Sequence, residues 1–407
     1  MIYPDLFVGI DVSKLKHDVA IMNESKKMVS KKLVIENSFS GFQFLLETLN
    51  QLSQKFQTQT LHIAMEATGD YWKNLYYFLK RQLESATLTV INPVRTKAFA
   101  KTELRRAKTD AVNAKDIAQF VVEKRPEASV DRPPVFDNIK DIDRQIYLLK
   151  KQQTMMTNKL RIELEKVAPE IEKAFKSFQG QQILALLAKY PTAAAIRNTP
   201  GGELAALRYG KNQWRIPKNF IEKVKSLSEL SIAYKQGAGA GLVVQSLVRR
   251  LGQSQQEVQS LKNEMVQLYD SVKEQDSILM SIPGITRETA IVLEAYIGDI
   301  NRFGNAKQLI AYFGMNPTVN ESGKSKRKSY LQKKGSPIVR HKLFMVTIAI
   351  ISKHVEPFYS YFNRLVEAGK PKLVAICATM RKLLAVIFAL LKNKHLFEYK
   401  KSETNDA

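Results

Sequence analysis

The sequence predicts an α/β plus α protein: an N-terminal α/β sandwich of the RNase H type, a long helical middle, and a mostly helical C-terminal region. Three observations carry this. The first part alternates short β-branched runs with segments of helical spacing. The middle holds two long heptad patterns. Helical patterns then close the chain.

Residues 7–23 read as a β-hairpin: Phe7-Val8-Gly9-Ile10-Asp11-Val12-Ser13, the polar turn Lys14-Leu15-Lys16-His17, then Asp18-Val19-Ala20-Ile21-Met22-Asn23. Asp11 is the anomaly. A carboxylate in a buried strand is costly unless it is paired or bound to a metal; the alternative is a cap at the strand end. Residues 27–36 read as a third strand. Residues 39–52 have helical spacing, with Phe42, Leu45, Leu46 and Leu49 on one face. Residues 60–65 form a strand ending in Glu66, Ala67-Thr68-Gly69-Asp70 a turn, and 71–83 a helix. Residues 86–91 are a further strand, stopped by Asn92-Pro93, and 96–102 and 110–123 are helices. A hairpin and third strand followed by alternating helices and strands is the RNase H pattern.

That sheet lets Asp11, Glu66 and Asp110 converge from distant parts of the chain. Taken singly, Glu66 reads as a surface carboxylate at a strand end, and Asp110 as an N-cap. Together they read as oxygen ligands with room for phosphate, which favours Mg²⁺ or Mn²⁺. Two such ions suit phosphoryl transfer.

The chain has 407 residues, two or three domains by length. Sixty-three Lys+Arg against 39 Asp+Glu give a formal net charge of +24, which calls for a polyanionic partner. An anionic membrane is the rival, but no signal peptide or basic amphipathic helix is evident, and the apolar stretch 373–391 is broken by Arg381-Lys382. A single cysteine, Cys377, excludes an intramolecular disulfide and any multi-cysteine zinc site. It fits a reducing cytoplasm, the expected location.

Arg125-Pro126-Glu127 and Asp131-Arg132-Pro133-Pro134 end the first domain, residues 1–130. The middle, 131–275, opens with Ile139, Ile142, Ile146, Leu149, Met156, Leu160 and Val167 at 3/4 spacing, interrupted by Gln153. It closes with Val244, Leu251, Val258, Met265 and Val272 at one heptad position and Leu247, Leu261 and Leu268 at the other, with Ser254 a polar break. Such heptads argue a coiled coil, within one chain or between chains. Between them, Trp214, flanked by Lys211 and Arg215, is read as a packed residue, with base stacking as the alternative.

In the third domain, residues 276–396, Ser281-Ile282-Pro283-Gly284-Ile285 precedes a helix over 287–297, like a helix-hairpin-helix turn whose backbone amides face a phosphate. Glu321-Ser322-Gly323 begins a basic run. Residues 321–345 hold Lys324, Lys326, Arg327, Lys328, Lys333, Lys334, Arg340 and Lys342 against Glu321. Such density needs counterions, which nucleic-acid phosphates supply; the alternative is a solvated loop. Helices over 339–352, 357–368 and 370–391 close the domain, and the tail, 397–407, is read as disordered.

Several of these segments combine into a family resemblance: Gly9-Ile10-Asp11-Val12-Ser13-Lys14; Met65-Glu66-Ala67-Thr68-Gly69-Asp70-Tyr71; Ile91-Asn92-Pro93; Lys108-Thr109-Asp110 with Ala114, Ile117 and Ala118; and Glu321-Ser322-Gly323. Together they resemble the DEDD-type insertion-sequence transposases, the IS-one-ten group that includes Piv-type DNA invertases. The resemblance implies a RuvC-like first domain, a coiled-coil connector shorter than the middle found here, and a C-terminal transposase domain. The family's four acids fall on Asp11, Glu66, Asp110 and Asn113. The last departs from the family's Asp, and Asp116 is the nearest substitute.

The reactive serine falls on Ser322. Ser325, Ser329 and Ser336 remain eligible on chemistry, and no histidine is adjacent, His341 being nearest and His354 and His395 further off. The implied activity is DNA transposition or recombination through a covalent phosphoserine, with Mg²⁺ (or Mn²⁺) at Asp11, Glu66 and Asp110. Donor and target DNA, a structured guide RNA and a dimer or tetramer are the implied partners. Lys108 joins the basic run as a nucleic-acid contact. Two rivals stand beside this reading. One is a metal-dependent junction-resolving nuclease, which needs no serine. The other is a decayed nucleic-acid-binding protein, with Asn113 as its scar.

Overall fold

Strands buried on both faces build the N-terminal sheet. Strands β1 (Leu6–Val12), β2 (Lys16–Asn23) and β3 (Leu33–Glu36) are joined through helix α1 (Phe39–Phe56) to β4 (Leu61–Glu66), then α2 (Tyr71–Gln82) and β5 (Thr87–Ile91). Helices α3 (Pro93–Thr102) and α4 (Asp110–Lys124) follow. The sheet order is β3-β2-β1-β4-β5; β1, β2 and β3 are antiparallel, and β1, β4 and β5 parallel. This is a computed structural model, and it describes residues 5–30, 33–102, 110–129, 134–175, 177–237, 239–273, 275–317, 321–322, 325–326, 331–332 and 335–398. For 101–102, 110–112, 174, 321–322 and 325–326 the backbone alone is described.

Two faces of β1 serve two purposes. Leu6, Val8 and Ile10 share a core with Phe42, Leu45 and Leu49 of α1 and Leu75 and Leu79 of α2. Phe7 packs with Ile117, Phe120 and Val121 of α4. By the two-residue period of a strand, Gly9 and Asp11 share that second face. The third strand is shorter than the sequence suggests. Asn23 accepts a hydrogen bond from the Lys27 amide at 3.0 Å, and Lys26 takes φ 59°, so the chain turns sharply there. A single bridge, Met22 to Met28, precedes β3.

The chain divides into two compact units, Met1–Asp131 and Arg132–Ala407. The second unit is mostly helical. Its frame is α5 (Pro134–Val167), and the chain continues through α6 (Pro169–Ala174), α7 (Gln181–Lys189), α8 (Ala193–Asn198) and α9 (Gly201–Ala205). A short hairpin, β6 (Arg208–Tyr209) and β7 (Trp214–Arg215), leads to α10 (Lys218–Glu229) and then to α11 (Leu242–Asp270). Trp214 is 59% exposed, which overturns its reading as a packed residue.

Helices α5 and α11 pair within one chain and run antiparallel. Ile139 shares a core with Met265 and Tyr269, Ile146 and Leu149 with Val258, and Leu160 and Leu164 with Leu247 and Leu251. The two polar interruptions meet: Gln153 Nε2 donates to Ser254 Oγ at 3.1 Å, buried between the helices. Burial makes each group depend on the other, because an unpaired amide or hydroxyl there costs roughly 1–3 kcal/mol.

The C-terminal helices surround α12 (Arg287–Ile297), which is apolar nearly all round and correspondingly buried. The chain continues through α13 (Ala306–Tyr312), the two-residue strands β8 (Glu321–Ser322) and β9 (Ser325–Lys326), α14 (Pro337–Ser352), α15 (Phe358–Glu367) and α16 (Lys372–Asn393), and the four helices share a core with α12. Helix α16 has the length and hydropathy of a membrane span, but Leu383, Leu384 and Ile387 are buried in the same core as α12.

The buried polar pair gives the first prediction. Ser254→Ala alone should destabilise the protein by about 1–3 kcal/mol, because the Gln153 amide loses its acceptor. The double variant Gln153→Leu/Ser254→Ala should recover most of that loss in urea unfolding. Simple additivity of the two single changes would show that the pair is not coupled.

Candidate active site

The hairpin register creates the site. Val12 pairs with His17, so four residues form the loop, and Asp11 then stands directly opposite Asp18. Both lie on the α4 face. Asp18 is only 4% exposed. Like charges opposite one another on neighbouring strands destabilise a sheet unless something compensates. Asn113, on the first turns of α4, donates its amide Nδ2 to Asp11 Oδ2 at 3.1 Å.

Glu66 approaches from the C-terminal end of β4. Its carboxylate is oriented by two hydroxyls: Thr96 Oγ1 donates to Oε2 at 2.8 Å, and Thr68 Oγ1 to Oε1 at 3.3 Å. Thr96 is buried at the start of α3, so that orientation is anchored in the fold. Asp11, Asp18, Glu66 and Asn113 line one cleft of about 260 Å³, together with Val12, Ser13, Thr68 and Lys97. Behind Asp18, on the opposite sheet face, His17 is fully buried and stacks on Phe42. Burial lowers its pKa, and its Nδ1 accepts from the Ser13 amide at 3.3 Å, so the ring is neutral.

Helix α4 reaches this position through a close approach. A Cβ on Gly9 would lie 2.2 Å from the Ala118 amide nitrogen and 2.3 Å from the Ala114 carbonyl oxygen. Only glycine lets the helix backbone settle on the strand. Ala20, Met22, Ala114 and Ala118 form a small core along the same seam.

Of the acids singled out in the sequence, Asp11 and Glu66 come together with Asn113. Asp110 is the first residue of α4, and its side chain lies outside the described residues. Asp116 is buried on the same helix and is not among the residues lining the cleft. Asp18, Thr96 and Lys97 were missed by the sequence reading. Counting back through the hairpin loop would have found Asp18; nothing local marks Thr96 or Lys97.

All the donors are hard oxygen groups. Among the described residues, no three carboxylate, imidazole or thiolate groups are close enough to clasp one ion unaided. Mg²⁺ commonly keeps its waters and binds through one or two carboxylates plus substrate phosphate, so the donor set fits that kind of ion.

In the second unit, Ser322 lies in β8 and pairs with Ser325 of β9. The side chains of Ser322, Ser325 and Lys326 lie outside the described residues, as do Lys108, Gly323, Lys324, Arg327, Lys328, Ser329, Lys333 and Lys334 altogether. Ser336 accepts from the Val339 amide and caps α14. The last two cations of the basic run make internal bonds. Arg340 donates to the carbonyls of Gly335 at 2.5 Å and Phe313 at 3.3 Å. Lys342 pairs with Asp143 at 2.8 Å, a carboxylate that is 1% exposed. Burial pushes the Asp143 pKa up, and the Lys342 charge opposes that shift.

Two family models cover much of the chain. Residues 8–169 match the DEDD-type IS110 model, described as Transposase, and residues 276–363 match Transposase IS116/IS110/IS902 family. The pilin gene-inverting protein of Moraxella bovis is 24% identical over 393 residues, 96% of this chain and 97% of that protein. An insertion element IS116 protein of Streptomyces clavuligerus is 22% identical, covering 96% of both chains. An insertion element IS110 protein of Streptomyces coelicolor is 25% identical over 61% of each.

The seam at Gly9 is testable. Gly9→Ala forces a methyl group into helix backbone that has no side chain to move aside, so it should destabilise the protein by about 1–3 kcal/mol or more. Urea unfolding of the full chain measures this. Unchanged stability would mean that α4 does not rest on β1 as described.

Proposed function

Because the chain belongs to the DEDD-type insertion-sequence transposases, and is thereby a DNA transposase or recombinase, we propose that it cuts and rejoins DNA through a covalent bond to Ser322. The acids of the first unit would hold Mg²⁺ or Mn²⁺. The observation that carries this reading is the shared cleft of Asp11, Asp18, Glu66 and Asn113. The strand order, with an antiparallel hairpin edge and two parallel strands beyond β1, supports a RuvC-like sheet. The heptads of α5 and α11 support a coiled-coil connector, and the turn at Gly284, with φ 100°, supports a phosphate contact of the helix-hairpin-helix kind.

Asp11, Glu66 and Asp110 are the ligands carried over from the family. Asp18 would supply the negative charge that Asn113 lacks. A bound cation would neutralise the acids and stabilise charge on the phosphate undergoing transfer. Thr96 and Thr68 keep Glu66 facing the cleft, and Lys97 attracts phosphate to it. In the covalent step, the Ser322 oxygen bonds to phosphorus and gives up its proton. The bond from phosphorus to one deoxyribose oxygen breaks, and that oxygen leaves as a hydroxyl, taking up a proton. Attack by a hydroxyl of another strand reverses the step and frees the serine. The phosphodiester count is conserved, so no ATP is required.

The net charge of +24 supports extensive phosphate contact, and a structured guide RNA and a homo-oligomer complete the proposal.

Two experiments test the two halves separately. Ser322→Ala should abolish strand exchange and the protein–DNA adduct while leaving binding intact. Cleavage that persists in this variant without any adduct would favour a junction-resolving nuclease.

Asp11→Asn should lower cleavage by about 100-fold or more. Asp11→Asn and Asp18→Asn should each weaken Mn²⁺ binding, read from the spectrum of the free ion in the absence of DNA. Unchanged Mn²⁺ binding in Asp18→Asn would remove Asp18 from the ligand set.

A further inference from the structure

The helical module between α5 and α11 carries a feature that the recombination chemistry does not use. We propose that the β6–β7 hairpin is a nucleic-acid contact, in which Trp214 stacks on an unpaired base while Lys211 and Arg215 take the flanking phosphates. This rests on the nucleic-acid reading above and assigns the hairpin a part in it.

The hairpin has a fixed root and a presented tip. At the root, Ile216 and Leu204 are buried in the module's core, and Gln182 Nε2 donates to the Tyr209 hydroxyl at 2.8 Å. Arg208 is committed there too, donating to the carbonyls of Ala205, Ala206 and Leu207 at 3.3, 2.8 and 3.1 Å. At the tip, Lys211, Asn212, Gln213, Trp214 and Arg215 are all exposed in succession. Gly210 and Gln213 take φ 73° and 53°, which sets the turn. Trp214 pairs with Tyr209 across the hairpin and is 59% exposed, so a large aromatic face is held towards solvent on an ordered turn. A group ordered before binding loses less entropy on binding.

Charge selects the occupant. Residues 208–225 hold Arg208, Lys211, Arg215, Lys218, Lys223 and Lys225 against Glu222 alone. Such a surface suits a polyanion better than an apolar protein face. Every nucleobase offers a π face, and stacking on an aromatic side chain is sequence-tolerant. A blunt duplex hides those faces, so the ligand must carry unpaired bases. A displaced DNA strand and an RNA loop both do so.

Trp214 and Trp72 are the two tryptophans in the chain, so Trp72→Phe makes emission report on the hairpin alone. Full-length protein is titrated with a single-stranded DNA oligonucleotide, a hairpin-loop RNA and a blunt DNA duplex. Tryptophan emission is read beside the anisotropy of end-labelled nucleic acid. Quenching is expected with the first two ligands and not with the duplex, and the stronger of the two identifies the source.

Trp214→Leu should weaken binding to the preferred ligand by about ten-fold or more, and Trp214→Tyr should restore most of it. Lys211→Ala and Arg215→Ala should each lower the slope of log affinity against log salt by about 0.7. Binding with steady emission and no effect of Trp214→Leu would overturn the hairpin assignment while leaving the nucleic-acid reading intact. No anisotropy change with any of the three ligands would overturn both. Self-association abolished by Trp214→Leu, with oligonucleotide binding unchanged, would give this face to a second copy of the chain.

Discussion

The N-terminal unit depends on one place where two backbones touch with no side chain between them. Helix α4 lies on β1 at Gly9, and Ala20, Ala114 and Ala118 keep the rest of the seam thin. A bulkier seam would lift the helix, and Asn113 would leave Asp11, to which it bonds at 3.1 Å. The pair is separated by most of the first unit in sequence. Close packing is what turns that distance into a hydrogen bond, since packed interiors transmit sub-ångström shifts.

The same seam holds charge that the sheet would not otherwise tolerate. Asp11 and Asp18 face each other across the hairpin, and Glu66 shares their cleft. A protein selected for stability alone would place apolar residues there. Local rules are commonly broken at functional sites, and three carboxylates in one cleft are such a break. The second unit holds another buried acid. Asp143 is buried against Lys342, so its charge is answered within the fold and is unavailable to a ligand. Lys342, a candidate phosphate contact of the basic run, is the partner that ties α14 to α5.

Much of the fold was legible because period and punctuation agree. Asn92-Pro93 stops β5, as the residues themselves suggest. Asp11 stood out because a carboxylate in an apolar run violates the pattern. Asp18 did not stand out, since it sits at a turn where acids are ordinary; only strand register makes it a partner of Asp11. Gln153 and Ser254 read as two separate flaws in two heptad patterns, and their meaning as a pair exists only in three dimensions. Trp214 misled for a related reason: tryptophan is usually packed, and no local signal says that a hairpin will hold one outward. What sequence conveys poorly is juxtaposition.

The antiparallel pairing of α5 and α11 has a consequence for how the protein can vary. The chain leaves along one helix and returns along the other, so the module between them begins and ends at the same place; Lys235 hydrogen-bonds back to Lys166 at 3.0 Å. The helix pair is thus a stalk, with α5 alone spanning roughly 50 Å for its 34 residues. Removing one heptad from each arm would shorten the stalk while keeping the facing residues in step. A lineage can therefore change the reach of the module, or exchange the module whole, without disturbing the helices that surround α12.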